Sequence, residues 1–202
     1  MDQPIESSLA SRIVEAPVSA PDGRGAERLS SLVTEAEANA PALAAVLRDP
    51  KVADLLRGTF DGSLFLTMLA TFDLERLGRV LTQVPEDHFA AMTRDLAQTM
   101  SAVPDMAAAK KVLRKYKTEV AVLTALADLG GVWPVMTVTR VLSECADAAV
   151  AAAVRFLFRK ATEQDVWQPP DATAPEQASG YIVLAMGKIG AFELNYSSDI
   201  DL

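Results

Sequence analysis

From Glu27 to Ala161 the apolar residues recur at i, i+3, i+4 and i+7, and proline or glycine interrupts them at intervals. That period places one apolar stripe on each successive segment and predicts a succession of amphipathic helices, because a strand would need a period of two. Leu29, Leu32, Val33 and Ala36 form the first stripe. Pro41 suits a first helical turn, with Leu43, Val46 and Leu47 inward until Asp49-Pro50. Val52, Leu55 and Leu56 mark a short helix closed by Gly58, and Asp61-Gly62 reads as a turn. Ser63 and Asp73 are N-cap residues for the next two helices, which carry Leu64, Phe65, Leu66 and Leu69, then Leu74, Leu77 and Leu81. Pro85, Glu86 and Asp87 open a helix with Phe89, Met92, Leu96 and Met100 inward. Two long helices follow, from about Asp105 to Leu129 and from about Pro134 to Ala161. Their inward stripes run through Ala109, Val112, Leu113, Tyr116, Val120, Leu123 and Leu126, and through Val138, Val141, Leu142, Cys145, Ala149, Ala152 and Phe156. Gly130-Gly131 separates them.

The chemistry open to this chain is narrow. Nineteen Lys and Arg against 27 Asp and Glu give a net charge of −8 in 202 residues, which disfavours a phosphate backbone and so excludes nucleic acid as the expected partner. No apolar run approaches the roughly 20 residues that span a bilayer. The amino terminus shows no secretory leader, and a single cysteine, Cys145, excludes an intramolecular disulfide and fits the cytoplasm. A single histidine, His88, removes His-rich metal sites and a Ser-His-Asp relay; it is expected to be exposed and uninvolved.

Outside the helical stretch, residues 1–25 lack periodicity and read as a mobile leader, followed by a helical domain over 26–162. Residues 163–179, with three prolines, read as a linker. From 180 the pattern changes: Tyr181-Ile182-Val183-Leu184-Ala185 is a run of strand formers entering a glycine turn, Gly187-Lys188-Ile189-Gly190, and a second strand begins near Ser198. The fold class is therefore mainly α, an N-terminal helical bundle leading into the start of an α+β domain. Ser198-Asp199-Ile200-Asp201-Leu202 reads as the middle of a strand, so the chain is expected to be a fragment cut within that domain.

On a strand, Asp199 and Asp201 project to one face about 7 Å apart, a spacing at which two carboxylates can share Mg²⁺ with phosphate oxygens. Gly187 and Gly190 allow backbone N–H groups close to an anion, and a short helix from Ala191 would aim its N-terminus at it. The Gly187-Lys188 pair is not a P-loop, which needs glycine where Ile182 stands and Ser or Thr where Ile189 stands.

Strand, glycine turn, spacer and Asp-Ile-Asp-Leu together resemble the signature of DNA-polymerase-β-like nucleotidyltransferases. The longer string, Met186-Gly187-Lys188-Ile189-Gly190 through Glu193-Leu194-Asn195-Tyr196-Ser197-Ser198-Asp199-Ile200-Asp201-Leu202, closely resembles the first such motif of the bifunctional glutamine synthetase adenylyltransferase and adenylyl-removing enzymes. Upstream, Phe60–Thr67, Lys110–Lys117, Asp128-Leu129 and Val138–Ala148 also resemble that family. The resemblance implies the deadenylylating half, in which phosphate attacks an adenylyl-tyrosine of glutamine synthetase and releases ADP. It implies that Asp199 and Asp201 hold Mg²⁺ as catalytic residues, that Gly187, Lys188, Gly190 and Ser198 lie near the phosphates of ADP or ATP, and that a third carboxylate lies beyond Leu202. The partners it implies are glutamine synthetase and a PII signalling protein. The alternative is an inactive helical module that docks either of them. Ala185, where the family commonly has Gly, and Phe192, where it often has a polar residue, are departures.

The remaining polar residues have plainer roles. Glu193 is expected as a cap or ion-pair partner and Asn195 as a loop-fixing side chain. Lys110–Lys117 reads as a solvated helix face, and Cys145, Met92, Met100 and Met106 as core.

Overall fold

A computed structural model describes residues 7–196 and 198–202, and ten helices and no strand lie among them. They are α1 (Leu9–Arg12), α2 (Gly25–Asn39), α3 (Pro41–Leu47), α4 (Pro50–Gly62), α5 (Leu64–Phe72), α6 (Leu74–Thr82), α7 (Pro85–Ala102), α8 (Met106–Leu129), α9 (Val135–Glu163) and α10 (Gly187–Gly190). The chain is mainly α, and none of these helices is long and apolar enough to cross a membrane.

Local chemistry sets most of the boundaries. Asp49 accepts from the Lys51 and Val52 amides at the start of α4, Ser63 from Leu66 at α5, Asp73 from Arg76 at α6 and Asp105 from Ala108 at α8. Each bond satisfies an amide that the first helical turn leaves without a partner. Gly131, at φ 63°, ends α8 in a conformation that side chains avoid.

Two helix boundaries differ from expectation. Gly58 does not close a helix, and Asp61-Gly62 is the last turn of α4 and not a separate turn. Gly58 is glycine for another reason: a Cβ there would overlap the Pro17 carbonyl. Within the stretch read as a leader, α1 forms, with Leu9 and Ile13 buried and the Leu9 amide bonded to the Gln83 carbonyl at 3.0 Å.

The chain divides into two compact units. One runs as far as Phe89 and includes Thr118–Val138. Its core is Leu32, Leu47, Leu55, Leu56, Phe60, Leu77, Leu81, Leu123 and Leu126, all essentially inaccessible, with α2 packed on α3 and α4, and α6 on α1, α3 and α5. Helix α5 buries only Thr67 and Ala70; Leu64, Phe65, Met68 and Phe72 remain exposed.

His88 lies inside this unit, 5% exposed, correcting its expected place at the surface. Among the described residues it joins no group of three possible metal ligands. Its Nε2 is 3.1 Å from Glu119 Oε1, without hydrogen-bond alignment, and Arg79 grips both Glu119 oxygens at 3.0 and 2.9 Å. The sequence places these three residues far apart, so their meeting could not be read from spacing.

The second unit comprises Ala90–Lys117 and Thr139–Leu202. Leu96, Met100, Val103, Ala109, Tyr116, Val141, Cys145 and Phe156 are buried in it. Burial pushes the Cys145 thiol up to about 11, so it stays protonated and serves as core. Met106 is half exposed and not core. Lys110, Lys111, Arg114, Lys115 and Lys117 all face outward, as expected of a solvated helix face.

Candidate functional site

Among the described residues from Tyr181 to Leu202 no strand forms. The two runs expected to be strands meet through one backbone bond, Met186 N–H to the Asp201 carbonyl at 2.9 Å. A ladder needs several bonds and a face to bury, whereas Tyr181, Ile182 and Leu184 are 62, 75 and 66% exposed. The pairing nonetheless joins the two ends of the motif.

Between them lies α10, a single turn over Gly187–Gly190. The expected helix from Ala191 does not form; Ala191 is instead the residue that ends α10, and a turn of four residues carries too little aligned dipole to act as an anion site. Gly187 sits at φ 54°, and a Cβ on it would stand 3.2 Å from Asp201 Oδ2, so glycine serves both the turn and the approach of the carboxylate. At Gly190 a Cβ would collide with the Ala185 carbonyl, and its amide is taken up by the Met186 carbonyl.

The loop after α10 is fastened at two buried residues, Ile189 and Leu194. Ser143, fully buried on α9, accepts from the Leu194 amide at 3.2 Å while donating to the Thr139 carbonyl at 2.9 Å. This anchor is the positioning residue that residue-by-residue reading missed, although Ser143 lies in one of the upstream strings that carried the family resemblance. Asn195 fixes the loop as expected, its Oδ1 accepting from Ser198 Oγ at 2.7 Å. That bond uses the Ser198 proton internally. Phe192 adopts φ 58°, a region where a bulky side chain is strained. Glu193 is exposed and its amide bonds the Lys188 carbonyl at 2.9 Å.

Asp199, Asp201 and Lys188 are exposed, so both carboxylates are reachable by solute. Two hard oxygen donors suit Mg²⁺ as part of its ligand set. Among the described residues no group of three His, Cys, Asp or Glu could hold a metal ion, so these two alone do not make a centre.

A family model described as glutamate-ammonia ligase adenylyltransferase matches residues 74–202, α6 to the last residue. The chain belongs to this family. It is 44% identical over 96% of its length to a bifunctional glutamine synthetase adenylyltransferase/adenylyl-removing enzyme of Bradyrhizobium diazoefficiens, 43% over 98% to one of Bradyrhizobium sp. ORS 278 and 41% over 96% to one of Xanthobacter autotrophicus. In each case it spans about a fifth (20%) of the relative's length. No solved structure matches.

Proposed function

We propose that this chain is part of an enzyme that regulates glutamine synthetase, and that it contributes the deadenylylating site, where phosphate releases ADP from an adenylyl-tyrosine. The observation that carries the reading is the closure of the motif: Met186 N–H on the Asp201 carbonyl, with the Asp201 carboxylate beside Gly187. Gly187 and Asp201, fourteen residues apart, thus lie side by side, which supports reading the glycine turn and the acidic pair as parts of one phosphate site. Family membership and similarity to the named relatives support the same reading.

In it, Asp199 and Asp201 hold Mg²⁺, which when bound offsets phosphate charge and aligns the attacking oxygen. The Lys188 ammonium, exposed on α10, offers a mobile countercharge to ADP, ATP or phosphate, with Gly187, Gly190 and Ser198 shaping the phosphate side. The reaction belongs to the cytoplasm, with glutamine synthetase as substrate and a PII protein as regulator.

A protein of the relatives' full length carrying Asp199→Asn should lose Mg²⁺-dependent phosphorolysis of adenylylated glutamine synthetase by two orders of magnitude or more while keeping its unfolding midpoint. Unchanged turnover would remove Asp199 from the site. The second reading is a helical module that docks glutamine synthetase or PII without turnover. Phosphorolysis by the 202-residue chain itself would exclude that reading.

A further inference from the structure

Along the first half of α8, Lys110, Lys111, Arg114, Lys115 and Lys117 follow one another with no acid between Met106 and Thr118. At about 3.6 residues per turn they fall on one side of the helix. The opposite side is held by Tyr116, which is buried and meets the Cys145 thiol of α9. All five cations are exposed, and among the described residues none of them holds a carboxylate. Elsewhere the chain pairs its cations readily: Arg79 holds Glu119, Arg140 holds Glu144, and Arg159 and Lys160 share Glu163. Acids are in surplus, 27 against 19 cations, yet none is spent on this stripe.

The stripe also works against its own helix. Lys110 and Arg114 stand at i and i+4, as do Lys111 and Lys115, and like charges at that spacing repel. The same spacing defines what would relieve them. Each column repeats once per turn, about 6 Å along the axis, which is the repeat of carboxylates at i and i+4 on another helix. A small anion is a poor match, because the five heads spread over a convex helix side. Nucleic acid meets an opposing field: beyond these five, fourteen cations remain against 27 acids, and the stripe exposes no aromatic side chain for a base. A lipid surface would need apolar side chains beside the lysines, and Ala109 and Tyr116 of this helix are buried in the core.

We infer that this stripe is the docking surface for an acidic helix of a partner protein, laid along α8 with its carboxylates against Lys110 and Arg114 and against Lys111 and Lys115. Exposed ion pairs are individually weak, so the stripe selects and steers the partner more than it holds it. It uses no residue of the glycine turn or the acidic pair, and stands or falls separately from the proposed reaction.

Four probes separate the outcomes when titrated into the 202-residue protein at low salt and followed by its amide resonances: an alanine-rich helical peptide with glutamates at i and i+4, an isomer with the same glutamates scattered round the helix, a thymidine oligonucleotide of equal charge, and phosphatidylglycerol vesicles. The first should shift the amides of residues 110–117 saturably and bind at least roughly fivefold more tightly than the other three, the combined effect of several exposed ion pairs. Lys111→Glu with Lys115→Glu should abolish that binding and leave the far-ultraviolet spectrum unchanged, since both side chains are exposed and unpaired. Lys51→Glu with Arg94→Glu makes the same change in net charge at two other exposed positions and should leave binding within about twofold. No saturable shift at 110–117, equal binding of the isomer, the oligonucleotide or the vesicles, or an equal loss from both double variants would overturn the assignment.

Discussion

Glu119 is a buried acid gripped by the Arg79 guanidinium with His88 beside it, and its titration affects how the first unit responds to pH. Burial opposes ionisation, but His88 and Arg79 outweigh it and hold the carboxyl at about 2, below its ordinary 4.5. A depressed acid contributes stability that is present above 4.5 and lost as pH falls through about 2. Glu119→Gln should therefore lower the urea midpoint at pH 7 by the equivalent of roughly 2 kcal/mol, since it leaves Arg79 and His88 without their partner. The gap to wild type should close as pH falls towards 2; a gap constant from pH 7 to pH 2 would show that the carboxylate is not the stabilising species. Gly58 carries a second residue-scale prediction, in which sterics and propensity disagree. Alanine is the better helix former by about 1 kcal/mol, yet its Cβ would enter the Pro17 carbonyl. Backbone on both sides cannot yield cheaply, so Gly58→Ala should destabilise by about 1–3 kcal/mol and make residues 7–20 more sensitive to protease.

Helices were legible where one stripe and one cap signal agreed. The predicted span from about Asp105 to Leu129 is α8, Met106–Leu129, and the span from about Pro134 to Ala161 is α9, Val135–Glu163. Asp73→Ala removes a cap that both sequence and structure assign, and should cost about 1 kcal/mol, or roughly 2–4 °C in melting temperature. Several expectations that failed share a cause: they assigned a residue or a strand by local pattern where a distant group decides. Gly58 answers to Pro17, forty-one positions earlier, and His88 is buried by Glu119 on another helix. Strand propensity at Tyr181–Ala185 stays unrealised because propensity describes fit to a pleated surface, and here, among the described residues, only Met186 and Asp201 pair.

At the scale of the whole molecule, the candidate site is fixed to its unit at few points, and this governs how it should behave. Spacing and family resemblance singled out the acidic pair and the glycine turn, but the anchoring of that segment was not legible, because Ser143 reaches Leu194 across fifty-one positions through a side chain usually assigned to helix solvation. Removing that hydroxyl leaves the buried Leu194 amide without an acceptor, at a cost of about 1–3 kcal/mol borne by the loop alone. Since the helical cores make no use of the bond, global unfolding should change little, while local opening of the loop should rise by an order of magnitude or more. Ser143→Ala should therefore speed hydrogen exchange at Leu194, Glu193 and Met186 at least tenfold and leave the amides of Val120 and Leu123 in α8 unchanged. Equal acceleration in α8 would mean that the loop and the core open together, and that the motif is held by the fold at large and not by Ser143.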